Sequence, residues 1–163
     1  KGFLYVGLMI KNNEPFLIEY NVRMGDPECQ VILPRLKTDI VKIFKNTIDN
    51  KIKSTKIKWK NQKCMTIVLC SKGYPGRYVK NIKIDNIHKM KRSKDNFIFH
   101  AGTRLINGDL FSSGGRVLNF TSLGRNYFKI RNKIIKSIKK LNWKAGFFRR
   151  DIGWKVIKKN ANY

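Results

Sequence analysis

A chain of 163 residues and 19.1 kDa is long enough for one domain with a sizeable core, or for a domain joined to a piece of another. Its 36 Lys and Arg against 10 Asp and Glu give a formal charge of +26, a balance that ordinarily points to nucleic acid or an anionic surface. No apolar run approaches the roughly 20 residues of a membrane span, and Cys29, Cys64 and Cys70 offer neither an even disulfide framework nor a Cys-x-x-Cys metal spacing, which suggests a reducing compartment.

The charge is weaker evidence than its size suggests. Lysine arrives together with Ile and Asn in every segment, the pattern that a bias toward AT-rich codons gives without selection for a basic footprint. The dense stretches Lys51–Lys63, Lys89–Lys94 and Lys129–Lys140 lack the regular interleaving of aromatics that base stacking uses. A solvated charge run is the commoner meaning, and a basic nucleic-acid-binding module stands only as the alternative.

In chain order, Phe3–Ile10 is a near-continuous apolar run of strand length and predicts a buried strand. Lys11–Pro15 has the composition of a hairpin connection, and Phe16–Arg23 returns as the partner strand. Uninterrupted alternation places Phe16, Ile18, Tyr20 and Val22 on a core face and Glu19, Asn21 and Arg23 on the other. Two hard oxygen donors and a fixed cation in one row suit a divalent ion bound with substrate phosphates; a solvated polar face is the plainer reading of a bare Glu-x-Asn. Gly7 falls near that face, where it allows a ligand or a bulge. Gly25-Asp26-Pro27 predicts a tight turn, with extended backbone before the proline, that presents Asp26 and Glu28 beside the polar row.

Glu28–Leu33 is short and ambiguous, with Pro34 as its break. Thr38 or Asp39 caps a helix on which Ile40, Val41, Ile43, Phe44 and Ile48 keep a helical rhythm, ending near Asp49. Composition then turns to Lys, Asn, Ser and Gln, and the boundary between two structural units is set there, at residues 1–60 and 61–163.

The second unit opens on a strand at Cys64–Cys70, in which a cysteine serves as small core filler. Gly73-Tyr74-Pro75-Gly76 is a turn by its own chemistry. Ile82–Ile87 and Asn96–His100 predict strands, and Asn107-Gly108-Asp109 a hairpin turn between Thr103–Ile106 and Leu110–Ser112. Ser112–Arg116 is a glycine-rich loop in which Gly114 and Gly115 could let amides converge on an anion while Arg116 forks onto it; a β-turn with a solvated arginine is the alternative. A strand follows at Val117–Leu123, then a helix at Asn126–Leu141 with Phe128, Ile130, Ile134, Ile135, Ile138 and Leu141 as its stripe. Trp143–Arg150 predicts a last strand, with Asp151 paired to Arg149 or Arg150. The fold class is α+β, mostly antiparallel.

His100 could serve as an acid, a base or a ligand, but within FIFHAGT it reads as a partly buried strand residue, and no second His or Cys stands at metal spacing, His88 being the only other histidine. Neither a Gly-x-Ser-x-Gly elbow nor a Walker loop occurs.

GLMI at Gly7–Ile10, EYNVRMGDPE at Glu19–Glu28, QVILPRLKTD at Gln30–Asp39, GYPG at Gly73–Gly76, FHAGT at Phe99–Thr103, GGRVL at Gly114–Leu118 and RRDIG at Arg149–Gly153 together resemble the phosphoribosylamine–glycine ligase (glycinamide ribonucleotide synthetase) family, in order and over nearly the whole chain. Val22, Met24 and Cys29 depart from the pattern, which has Ala, Phe and Thr there.

The resemblance implies the end of an ATP-grasp domain followed by the family's small C-terminal domain, in the C-terminal part of a longer protein that is inactive without its N-terminal part. It implies ATP-dependent joining of glycine to 5-phosphoribosylamine through a glycyl phosphate, in cytoplasmic purine biosynthesis, with no membrane partner. It further implies Mg²⁺ or Mn²⁺ on Glu19 and Asn21, stabilisation of the transferring phosphoryl or the acyl phosphate by Arg23, support from Asp26 and Glu28 in orienting Arg23 or the glycine amine, and a role for Gly114, Gly115 and Arg116 at the ribose phosphate or the closed active site. Another ATP-grasp carboxylate–amine ligase is the nearer alternative.

Overall fold

The computed structural model describes residues 1–90 and 93–159. Lys91 and Arg92 of the basic stretch Lys89–Lys94 therefore lie outside the described residues. The chain divides into two compact units, Lys1–Asn61 and Gln62–Tyr163.

The first unit opens with an antiparallel hairpin of β1 (Tyr5–Lys11) and β2 (Glu14–Asn21). Its connection is shorter than the sequence suggests: Asn12 and Asn13, both with positive φ, make a two-residue turn whose twist matches the strands. Phe3, expected to open the strand, instead sets its ring edge-on against Phe44, 5.5 Å away. The register slips between Gly7 and Leu8, so Ile18 has no partner and Phe16 pairs with Met9. A bulge reverses the alternation before it, and Phe16 falls on the side of Glu19, against expectation.

The expected core face is also corrected, because Ile18, Tyr20 and Val22 are exposed, Val22 at 89%. The same holds for the strand expected to be buried, since Val6, Leu8, Met9 and Ile10 are exposed as well. Pro34 does not break the next segment: α1 (Cys29–Arg35) carries it, buried, within its last turn. α2 (Ile40–Ile48) is capped by Asp39, whose carboxylate accepts from the Val41 amide at 2.8 Å.

In the second unit, β3 (Lys63–Ser71), β4 (Asn96–His100), β7 (Arg116–Gly124) and the two-residue β8 (Gly146–Phe147) form an antiparallel sheet in the order β4-β7-β3-β8. β5 (Thr103–Ile106) and β6 (Asp109–Ser112) make a separate hairpin, with Asn107 and Gly108 both at positive φ in its turn. Ile67 sits across from Phe120 and Leu69 across from Leu118. Onto that core α3 (Tyr127–Ile138) lays Ile130, Ile134 and Ile138. Asn126 caps it, accepting from the Lys129 amide at 3.0 Å, while Phe128 of the predicted stripe is exposed.

Two predicted strands are corrected. Along Ile82–Ile87 the extended backbone bridges Phe111 from Lys83 and Asn142 from Asp85, so partners change and no ladder grows. Asn86, at φ 66, then turns the chain into a 3-10 segment at Ile87–Lys89. Along Trp143–Arg150 only Gly146–Phe147 forms a strand pair, and the Trp143 ring folds over Gly146, leaving no room for a side chain there. Arg149 forks onto Asp151 at 3.1 and 2.7 Å, as expected, which holds that carboxyl below its usual range. Past it lies a short helix that the sequence did not suggest, α4 (Trp154–Lys159).

Candidate functional site

The polar residues of the first unit are gathered by pairing across the hairpin. Glu19 lies opposite Gly7 and Asn21 opposite Tyr5, so Tyr5, Gly7, Glu19 and Asn21 share one side. Gly7 is empty for a reason: a Cβ there would come 3.0 Å from the Glu19 Cγ. The glycine makes room for the carboxylate as well as preceding the bulge.

The turn brings a second acid to the same place. Gly25 is buried and its amide plane opens α1, the Cys29 amide donating to the Gly25 carbonyl at 2.9 Å. The Asp26–Pro27 peptide is cis. The Glu28 carboxylate occupies the space over Gly25, and the Tyr5 hydroxyl donates to Glu28 Oε1 at 3.4 Å. The negative charge of Glu28, then burial, and more weakly Glu19 push the Tyr5 phenol up. Asp26 Oδ1 accepts from the Gln30 side-chain Nε2 at 2.9 Å, and burial, helped by Asp26, raises the Cys29 thiol.

Arg23 is not carried by the alternation as expected. β2 ends at Asn21, Val22 and Arg23 form a bend, and the exposed guanidinium donates to the Met24 carbonyl at 2.9 Å.

Glu19 and Asn21 bring a carboxylate and an amide oxygen to one side. That donor set fits a hard divalent cation completing its shell with phosphate and water. Among the described residues no three His, Cys, Asp or Glu side chains gather into a protein-only cage.

The glycine-rich loop of the second unit is built differently. Ser113 and Gly114 amides donate to the Gly102 carbonyl at 2.7 and 3.3 Å, so neither is directed at a ligand. Gly102 and Gly114 face each other with no space for a side chain at the first, and the Tyr74 ring covers Gly115. The buried Ser71 hydroxyl donates to the Gly114 carbonyl at 2.8 Å. These glycines serve close packing of backbone. Arg116, exposed at the start of β7, is the member of this group whose chemistry suits an anion.

His100 is exposed at the end of β4, not partly buried, its Nδ1 3.0 Å from Thr103 Oγ1. Cys70 is buried, and burial raises its thiol against the opposing pull of Arg116. A groove of about 1030 Å³ runs between residues 84–90 and the β5–β6 hairpin. It is lined by none of the predicted site residues, and its two acids, Asp85 and Asp109, are both paired with Lys83.

Tyr5, which the sequence places only within an apolar run, joins this side across from Asn21. The available signal was its two-residue spacing from Gly7.

Comparison with known proteins places these residues in context. The family model described as phosphoribosylglycinamide synthetase, C domain, matches residues 64–155, and that described as phosphoribosylglycinamide synthetase, ATP-grasp (A) domain, matches residues 1–29. A phosphoribosylamine–glycine ligase of Agrobacterium fabrum is 46% identical over 156 residues, covering 96% of this chain and 36% of that protein. The chicken trifunctional purine biosynthetic protein adenosine-3 is 38% identical over 157 residues, 96% of this chain and 16% of its own. The crystal structure of phosphoribosylamine–glycine ligase from Thermotoga maritima superposes with a TM-score of 0.70 at 30% identity, over 93% of this chain and 37% of that one. The chain thus spans about a third of the length of the ligases it matches.

Proposed function

Since the chain belongs to the phosphoribosylglycinamide synthetase family, we propose that it forms part of a cytoplasmic ligase joining glycine to 5-phosphoribosylamine at the expense of ATP, yielding glycinamide ribonucleotide, ADP and phosphate. The observation that carries this reading is the shared side of Glu19 and Asn21 across from Gly7, within the stretch matching the ATP-grasp domain. Residues 1–60 and 61–163 are assigned to the end of that domain and to the C-terminal domain. No helix of the described residues is long and apolar enough to cross a membrane.

Glu19 and Asn21 would hold Mg²⁺ or Mn²⁺, which when bound neutralises charge on phosphate oxygens. The glycine carboxylate attacks the γ-phosphorus and the bond to the ADP oxygen breaks. The amine of phosphoribosylamine then attacks the acyl carbon, loses a proton and expels phosphate. Both steps concentrate negative charge on phosphate oxygens, so positioning and electrostatic stabilisation dominate.

Arg23, exposed and hydrogen-bonded to the Met24 carbonyl, carries the charge that would steady the transferring phosphoryl group. Glu28 carries a carboxylate suited to the glycine ammonium, and Asp26 steadies the turn through Gln30. Arg116 offers a cation for the ribose phosphate, with Gly114 and Gly115 shaping its loop. Binding of a nucleic acid is disfavoured because the lysines follow no aromatic pattern.

The test is an ATP- and glycine-dependent assay on the complete gene product carrying this chain, with glycinamide ribonucleotide as the diagnostic product. Glu19→Ala or Asn21→Ala should abolish turnover with little change in stability. Unchanged turnover would remove the metal role, and formation of a different amide would favour another ATP-grasp ligase.

A further inference from the structure

We propose that Tyr5 is a positioning residue, whose hydroxyl sets the Glu28 carboxylate beside the Glu19–Asn21 side so that Glu28 can receive the ammonium group of the amino-acid substrate. This rests on the assignment of Glu19 and Asn21 made above.

The geometry is a row of filled glycine spaces. A Cβ on Gly25 would lie 2.9 Å from Tyr5 Cε2 and 3.0 Å from Glu28 Cδ, so ring and carboxylate both use the room that this glycine leaves. A Cβ on Gly7 would lie 3.6 Å from Tyr5 Cε1 and 3.0 Å from Glu19 Cγ. The ring therefore fills the room over Gly25 and meets Gly7 in ordinary van der Waals contact, with the Glu28 carboxylate beside the first and Glu19 Cγ close against the second.

Main-chain pairing fixes the near end, since Tyr5 sits across from Asn21. The hydroxyl fixes the far end, on Glu28 Oε1. Glu28 immediately precedes α1 and accepts the Val31 and Ile32 amides on its carbonyl, both at 3.0 Å, so its backbone is held while its side chain remains to be oriented. The phenol is the one group shown hydrogen-bonded to that side chain among the described residues. Two acids arranged this way offer two cation seats of different kind, a hard-ion seat at Glu19 with Asn21 and an ammonium seat at Glu28.

Kinetics of the complete enzyme, with Mg²⁺ and glycine varied separately, test the assignment. Tyr5→Phe keeps the ring between the glycines and removes only the hydroxyl. It should raise the KM for glycine roughly tenfold, the lower end of what a hydrogen bond to a charged group contributes, while kcat and the Mg²⁺ activation constant stay within about twofold. Glu28→Gln should raise the same KM further. The double variant should match Glu28→Gln alone, because one residue acts through the other.

Additive effects of the two substitutions, or a Tyr5→Phe change that appears in the Mg²⁺ dependence and not in the glycine KM, would overturn the inference. Glu19→Gln separates the two levels. If it leaves Mg²⁺ activation intact, the site assignment fails and the inference with it; if it abolishes activation while Tyr5 and Glu28 behave independently, only the inference fails.

Discussion

Replacing Ile134 by Ala probes whether α3 closes the core of the second unit. Ile134 is 2% exposed, one turn from Ile130 and Ile138 on the buried stripe. The substitution removes three carbons, about 2.4 kcal/mol at ~0.8 kcal/mol for each buried methylene. The space left behind adds to this, bringing the expected loss to about 3 kcal/mol, within the range of about 2–5 for such changes. Phe128→Ala on the same helix is the control. Its ring is 56% exposed, so the larger side chain should cost only about 0.5 kcal/mol.

The assay is urea unfolding followed by tryptophan fluorescence, with Trp143 as a reporter within the same core. With a slope of about 2 kcal/mol per molar urea, Ile134→Ala should lower the midpoint by about 1.5 M at unchanged slope. A loss below about 1 kcal/mol, or one no larger than that of Phe128→Ala, would refute the packing argument.

Asn126→Ala should destabilise α3 by about 1 kcal/mol, and Asn126→Asp should restore most of it, because either side chain can accept from the Lys129 amide; hydrogen exchange at that amide reports the cap directly. Gly7→Ala should reduce turnover of the complete enzyme while the urea midpoint moves little, since the new methyl displaces the Glu19 side chain and not the backbone; wild-type turnover would show that the Glu19 rotamer is immaterial. The Cys70 thiol is raised in the fold by burial, so the neutral form is the stabilised one. Its contribution is complete below the ordinary thiol value of about 8.5 and declines as pH rises above it, where the unfolded chain ionises first. Unfolding midpoints measured from pH 7 to 10 should show a fall that Cys70→Ala lessens, and an identical fall in both proteins would remove the cysteine as its cause.

Much of this protein was legible from short-range chemistry. Asp39, read beside Thr38 as a cap, announces α2 because a cap and its amide are two residues apart, and the apolar stripe within Asn126–Leu141 announces α3 by its period. The Asn107–Gly108 turn follows from two residues that tolerate positive φ, and Cys64–Cys70 and Val117–Leu123 declare strands by composition. Glu19 and Asn21 share a side because i and i+2 must do so on any strand. Their functional meaning, however, came from motif resemblance and not from that geometry.

What pairs with what was decided only in three dimensions. The slip at Gly7 moved Phe16 to the Glu19 side, an event set by both strands together and visible in neither alone. Ile82–Ile87 has the letters of a strand but alternates between two distant partners, Phe111 and Asn142. The glycines at 114 and 115 suggest an anion-binding loop in sequence, yet the space beside them is filled by the Gly102 backbone and by Tyr74. Sequence alone determined the local conformations and the identities of the oxygen donors, because hydrophobic period and turn chemistry act over a few residues. Tertiary structure decided register, burial and the meeting of Tyr5 with Glu28, because those depend on contacts between separate segments, Tyr5 and Glu28 standing 23 positions apart in the chain.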